Sequence, residues 1–413
     1  DPSQGGTSML LAGFARVDIT PPRECTLQGY EFRFSQLSPG NDGVLDPLHA
    51  RALAIDTTHD DAGPAILLSL DICIVSVELA CRLSNRIAQR VGTSPGRVLV
   101  TTTHTHSGPD LDEPELADML GAVFEDTDAD APDSPGRRYT AFLEDLAVEA
   151  AVRAAGLMTP VRARTIQAPL GLAYNRRVPT ADGQVAHCWN PREQTHLRPA
   201  PADDPTCTVL ALEQPSGGRR ILLFNAAAHP TVLGKTSRVV SADWPGAACR
   251  AIEQAVPGSD AMFLPGASGD LHPWIATQDD PAGVQRVGVA AGSFVALLSH
   301  ALRDGDETLT IARRDISVAG QDVPLAGWRI GGMLLLASPT EMFSALSAEL
   351  RTRVDRPLMC VTCAGGWTGY WPTKQAFAEG SYEVDAARAH GRSADDSATL
   401  VGALTELAGE LSD

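Results

Sequence analysis

Apolar residues along this chain keep two rhythms. Short, nearly unbroken runs such as AILLSLDICIV and RVLVTTTH alternate with longer stretches whose apolar positions recur every three or four residues, as in SVELACRLSNRIAQRVG. The first rhythm predicts strands, the second amphipathic helices. Strands are predicted over residues 10–22, where Pro21-Pro22 ends the run, and over 49–56, 63–75 and 97–104. A helix over 76–92, closing on Gly92, joins the last two into a β-α-β unit. Further strands are predicted over 161–171, 206–214, 219–230, 261–270, 308–318, 332–339 and 357–366, with helices over 138–157, 244–256, 282–304, 340–354 and 397–411. Residues 172–180 read as a loop. Two stretches break the pattern: an acidic, proline-containing segment near 111–135, expected to be a long loop or lid, and a Pro-rich insertion near 187–205. Strands and helices alternate to the end without a fixed period, which excludes a repeat protein. The pattern predicts an α/β fold of mixed β-sheets layered with helices, built as one domain over 9–413. Residues 1–8, DPSQGGTS, read as a cloning remnant.

Composition narrows the functional classes. The chain has 413 residues, 44% hydrophobic and 20% charged, enough for a large core. Its 33 Lys and Arg against 51 Asp and Glu give a formal charge of −18, which repels nucleic acid and anionic bilayers. Neither is expected as a partner, and no stable membrane association is expected. No apolar run reaches the length of a membrane-spanning helix. Eight cysteines, several inside apolar runs, fit reduced thiols of a cytoplasmic protein, and the CxxC of MCVTC reads as core. With Met9 as the native start there is no room for an export signal. A cytoplasmic location is therefore expected, the alternative being a secreted chain whose signal has been removed. Nothing in the sequence sets the oligomeric state.

The candidate chemistry lies at the ends of the predicted strands. In VLVTTTHTHSGPD, His104 and His106 are two residues apart, so on a strand both rings would look the same way. Imidazole is the commonest protein ligand for zinc, although one ring could equally cap the loop and the other be solvated. LLFNAAAHPTVLG delivers His229, FLPGASGDLHPW delivers Asp270 and His272, LLLASPTEMF places Glu341 at a strand-to-helix junction, and GGWTGYWPT carries Tyr370, with Tyr382 following. Singly, His229 reads as a core histidine, Glu341 as a helix N-terminal residue and the tyrosines as packing. Together they form a set of nitrogen and oxygen ligands at comparable places in the topology.

These segments resemble the catalytic domain of the neutral ceramidase family, zinc amidases that hydrolyse the N-acyl bond of ceramide. ARVDITPP, THTHSGP, FNAAAHPT, GASGD, SPTE and GYWPT occur in the family's order between about residues 10 and 383. The resemblance implies one Zn²⁺ held by His104, His229, Glu341 and Tyr370. It implies that His106 faces the scissile carbonyl, and that Arg176 and Tyr382 contact the substrate carbonyl. His272 stands where the family's GDVSP segment has its serine, and Arg177 and Val178 replace the Ser-Pro that follows the family's Asn-Arg. The implied chemistry is attack on an amide carbonyl by water activated on zinc, with His106 or His272 passing the proton to the leaving amine.

The departures fall on substrate contacts more than on metal ligands. With 5% aromatic residues and no basic amphipathic helix, the chain is expected to act on a small, soluble N-acyl amide. Arg177, if not at the surface, could bind a carboxylate on that substrate. The alternatives are a true ceramidase, a zinc esterase or lactonase, and a metal-binding protein without turnover.

Overall fold

The computed structural model describes residues 9–58, 60–121 and 133–412. Its main sheet has nine strands, in the order Ser259–Pro265, Arg220–Ala226, Thr206–Glu213, Thr159–Pro169, Leu10–Asp18, His49–Thr57, Ala65–Leu70 and Val98–Thr102, with Arg303–Asp304 added beside Thr159–Pro169. A four-stranded sheet orders Leu309–Val318, Gln321–Ile330, Met333–Ala337 and Leu358–Val361. The fold is α/β, with mixed sheets and helices as the sequence pattern predicts.

Side-chain alternation explains the layering. Along Ala65–Leu70, Ile66, Leu68 and Leu70 share a core with the helices Val77–Val91 and Pro135–Gly156, while Ala65 and Leu67 face the second sheet. Along Ser259–Pro265, Ala261 and Phe263 pack on the helices Asp243–Ala255 and Ala282–Leu298, and Met262 and Leu264 join the core between the sheets. In the second sheet Met333 and Leu335 point into that shared core. Leu334 and Leu336 pack under the helix Asp396–Glu410. The result is four layers, helix, sheet, sheet and helix. Strands buried on both faces read as continuous apolar runs rather than as alternation, which is the first rhythm of the sequence.

Several boundaries differ from the sequence expectation, each for a local reason. The run at 63–75 stops being a strand at Leu70, because the buried Asp71 carboxylate accepts from the His49 amide (2.9 Å) and pairs with Arg51 (2.6 Å). The helix Val77–Val91 starts where Ser76 Oγ accepts from the Leu79 amide (2.9 Å) and ends on left-handed Gly92. The strand expected over 97–104 ends at Thr102, since His104 is itself left-handed (φ 65°).

The segment near 111–135 is not all loop. Pro114–Gly121 is helical, preceded by buried Glu113, which accepts from the amide and hydroxyl of Ser76. Residues 122–132 lie outside the described residues. The next helix starts at Pro135 rather than 138, with proline in the first turn where no amide donor is needed. Residues 172–180 are not plain loop either, since Ala173–Asn175 pairs with Leu271–Pro273. The helix expected from 340 starts at Ser344. Glu341–Met342 pairs instead, parallel, with Tyr370–Trp371. The helix expected to reach 304 ends at Leu298. Among the described residues no helix is long and apolar enough to cross a membrane.

Candidate active site

Three parallel strand pairs point their carboxyl ends at one region: Ala65–Leu70 with Val98–Thr102, Arg220–Ala226 with Ser259–Pro265, and Met333–Ala337 with Leu358–Val361. Carboxyl ends of parallel strands are where α/β sheets place ligand-binding loops. The six loops that follow carry Cys73, His104 with His106, His229, Ser268 with His272, Glu341, and Cys363 with Trp367 and Tyr370. Backbone bonds from Gly365 to the Val100 carbonyl (2.7 Å) and from Thr362 to the Pro265 carbonyl (3.0 Å) tie the two sheets together there.

His104, His106 and His229 form a triangle with ring centroids 4.6–5.0 Å apart. The two rings of the THTH motif do converge, but through the left-handed turn at His104 rather than through strand alternation. Nδ1 of His104 contacts the Cys73 carbonyl (3.0 Å) and Nδ1 of His229 contacts the Ser268 carbonyl (2.9 Å). Each Nδ1 therefore carries the proton, and each Nε2 turns its lone pair inward. Those two Nε2 atoms are 2.9 Å apart. Glu341 Oε2 lies 3.5 and 3.7 Å from them and is buried without a hydrogen-bond partner, while its Oε1 accepts from Trp367 Nε1 (2.7 Å). Two converging lone pairs beside an unpartnered carboxylate oxygen require a proton or a cation between them. The ligand atoms of His104, His229 and Glu341 all fall within 4.8 Å of one another, a donor set of two imidazole nitrogens and a carboxylate oxygen that could hold a metal ion. Tyr370 is the strand partner of Glu341 and lines the same cleft.

The electrostatics centre on His104. Burial works to lower it, but Cys363, Cys73 and Glu341 outweigh burial and hold it well above the ordinary imidazole value. Burial, reinforced by His104, pushes His229 and His106 well below that value. Burial also tends to raise Glu341, yet His104 and His229 bring its carboxyl down to about 2. Tyr382 is pushed up to about 12 by burial and so stays a protonated donor.

A cleft of about 100 Å³ opens on this cluster, lined by His104, His106, Glu341, Tyr370 and Tyr382 together with Tyr30, Phe34, Ile74, Leu120 and Trp367. His106 reaches it because Gly29 is glycine. A Cβ there would sit 2.6 Å from the imidazole ring, and φ is +103°. Arg176 and His272 are each 2% exposed and stand outside the lining. His272 has its ring 6.0 Å from that of His229, with Nδ1 toward the Trp189 carbonyl (3.3 Å). Arg176 donates through Nε to Glu383 (2.8 Å) and through Nη2 to the Gly269 carbonyl (2.7 Å), with the Tyr370 hydroxyl at 3.4 Å.

Arg177 corrects the sequence reading. It is neither at the surface nor open to a substrate carboxylate, since Glu383 (2.9 Å) and Glu379 (3.3 Å) hold it in the interior. Asp270 is buried too, accepting from Asn175 (2.7 Å) and the Ser344 amide (2.8 Å), and orders loops rather than facing the cleft. The sequence reading missed Glu383, which gathers Arg176, Arg177 and His187, and Trp367, which orients Glu341. It placed Cys363 in the core, where it is, without the 3.6 Å contact of its sulfur with His104 Nδ1.

Comparison with known proteins adds the family. The sequence profile described as "Neutral/alkaline non-lysosomal ceramidase, N-terminal" matches residues 10–310. The chain belongs to the neutral/alkaline non-lysosomal ceramidase family. His104, His106, Arg176, His229 and His272 lie inside the stretch that matches this ceramidase profile, whereas Glu341, Tyr370 and Tyr382 follow it. The crystal structure of neutral ceramidase from Pseudomonas aeruginosa is similar with a TM-score of 0.76 at 17% identity, covering 98% of this chain and 75% of that one. A ceramidase complexed with C2 gives 0.72 at 16% identity, with 96% and 76% covered. At such identity the likeness to these ceramidases is one of fold. No curated protein matches the sequence.

Proposed function

We propose that this protein is a zinc-dependent amide hydrolase, built as one domain, that cleaves the N-acyl bond of a small, soluble substrate. The observation that carries the reading is the pair of inward Nε2 atoms of His104 and His229, 2.9 Å apart, beside the unpartnered Oε2 of Glu341. Zinc bound there supplies a Lewis acid that activates water near neutral pH and polarises a carbonyl. His104, His229 and Glu341 would hold it, with Tyr370 as a fourth ligand.

The remaining steps belong to the chain's own side chains. Tyr382, a protonated donor on the cleft wall, hydrogen-bonds the carbonyl oxygen as it gains charge, a contribution of roughly 3 kcal/mol in a preorganised site. His106 lines the cleft, so its ring nitrogen is placed to take a proton and deliver it to the leaving amine. His272, outside the lining with its ring 6.0 Å from that of His229, is the alternative proton carrier. Tyr30 and Trp367 add apolar ring surface to the cleft wall. Arg176 holds the Tyr370 hydroxyl in place and reaches the carbonyl only through the tyrosine pair. A volume of about 100 Å³ suits a small acyl group. Eight free cysteines support a cytoplasmic location.

Elemental analysis of wild type beside His104→Ala, His229→Ala and Glu341→Gln tests the centre: about one zinc per chain is expected, lost in each variant. Absence of zinc from wild type after reconstitution overturns the reading. A panel of short N-acyl amides, ceramides and lactones then identifies the bond cleaved. His106→Ala is expected to abolish turnover, and His272→Ala to reduce it.

A further inference from the structure

A second cavity, of about 520 Å³, adjoins the cleft and shares Gln28, Phe34 and Leu120 with it. Among the described residues its charged lining is of one sign: Glu24, Asp110, Asp112 and Glu113, with no Lys, Arg or His. Among the described residues none of these four carboxylates forms an ion pair. Asp110 accepts from Gln28 Nε2 (3.2 Å), Asp112 from Ser134 and Glu113 from Ser76, all neutral donors. Gln28 is 4% exposed, and its Oε1 has no hydrogen-bond partner. A neighbouring guanidinium, Arg137, donates through Nε to the Asp112 backbone carbonyl (3.3 Å) rather than to a carboxylate. Acids gathered in a concavity without a paired cation are costly, and burial accordingly pushes Asp110 and Glu113 up to about 7.

We propose that this cavity is a subsite for an ammonium group of the substrate, so that the enzyme acts on N-acyl amides whose amine part carries a second, protonated amine. The proposal rests on the amide-hydrolase reading of the neighbouring cleft. An ammonium is a compact charge with three donors, which Asp110 and Gln28 Oε1 would accept while the exposed ring of Phe34 lies along the alkyl spacer. A metal ion suits the cavity less. Among the described residues, ligand atoms of three or more His, Cys, Asp or Glu residues converge within 4.8 Å only around His104, not among these acids. Among the described residues an anionic substrate finds no free counter-charge lining the cavity, because Arg176 and Arg177 are held by Glu383 and Arg137 by the Asp112 carbonyl. The net charge of −18 favours approach of a cation. The reaction balances as water added across the amide: the C–N bond breaks, a C–O bond forms, and a carboxylate and a diammonium leave.

The test uses the zinc-loaded full chain and a matched series: N-acetyl-1,4-diaminobutane, its neutral hydroxyl analogue and its carboxylate analogue. kcat/KM is expected to fall about tenfold from ammonium to hydroxyl and further for the carboxylate, with the preference collapsing in Asp110→Asn and returning in Asp110→Glu. Calorimetry with 1,4-diaminobutane alone reads the subsite without turnover, and binding should weaken in Asp110→Asn and with added salt. Should Asp110→Asn not fold, the wild-type series decides. Amide turnover with no ammonium preference overturns the subsite and leaves the hydrolase reading. Asp110-dependent diamine binding without turnover of any amide keeps the subsite and overturns that reading. Stoichiometric displacement of the diamine by calcium assigns the cavity to a metal and overturns the proposal.

Discussion

Replacing Glu383 by Gln removes the carboxylate charge that two interior arginines share. The carboxylate is fully buried and meets Arg176 Nε at 2.8 Å, Arg177 Nη1 at 2.9 Å and His187 Nε2 at 2.9 Å. Breaking a buried pair from one side costs about 3–5 kcal/mol, because the guanidiniums are left under-compensated. At about 2.1 cal/mol/K per residue, the unfolding entropy of the chain is about 0.9 kcal/mol/K, so a loss of about 4 kcal/mol lowers Tm by about 5 °C. The pH dependence has a definite sign. Burial tends to raise the Glu383 carboxyl, but Arg176 and His187 outweigh it and hold it well below the usual range. A depressed carboxyl stabilises fully above its unfolded value, near 4.5, and loses that stabilisation as pH falls toward the folded value. The difference between wild type and Glu383→Gln is thus full at neutral pH and shrinks below about pH 4.5. Thermal unfolding followed by circular dichroism reads both quantities. An unchanged Tm at neutral pH, or a difference that stays constant into acid, refutes the role of Glu383 as shared counter-ion.

Other consequences are simpler to check. Glu113, raised by burial from 4.5 to about 7, stabilises fully below its unfolded value and loses this as pH rises through 7. Relative to wild type, Glu113→Gln should therefore gain about 3 kcal/mol between acid and mildly alkaline pH, read as a Tm difference that grows with pH; a constant difference contradicts it. Trp367→Phe removes the donor to Glu341 Oε1, and chelator competition should show zinc affinity reduced about 10–100-fold. Unchanged affinity would mean that Glu341 is oriented without the indole.

The strands of the main sheet were legible in the sequence because burial on both faces leaves runs such as AILLSL with nothing polar to interrupt them. The turn at Asp71 was not, since it depends on Arg51 from another strand. Likewise the THTH spacing predicted that its two rings face the same way, yet their convergence comes from left-handed backbone at His104 that no residue-type preference signals. Glu341 looked like a helix-start residue because its strand partner, Tyr370, is distant in sequence. Glu383 sat unnoticed beside Tyr382, since a lone acid in a helical stretch normally faces water, and only the fold brings Arg176 and Arg177 to it. The acid-lined cavity was hidden for the same reason. Gln28 and Asp110 meet only after the loop beyond His106 folds back.

His104 and His229 are 125 residues apart in sequence, and each follows a different parallel pair of the main sheet, whereas Glu341 follows a strand of the second sheet. Whatever ion those residues capture must therefore rivet one sheet to the other. Capture becomes a late event in folding, available only once both sheets have formed and docked. Loading the centre should slow hydrogen exchange at the Gly365 and Thr362 amides, which stitch the sheets together, more than at strands of the far edge. No fragment lacking either sheet brings these three residues together.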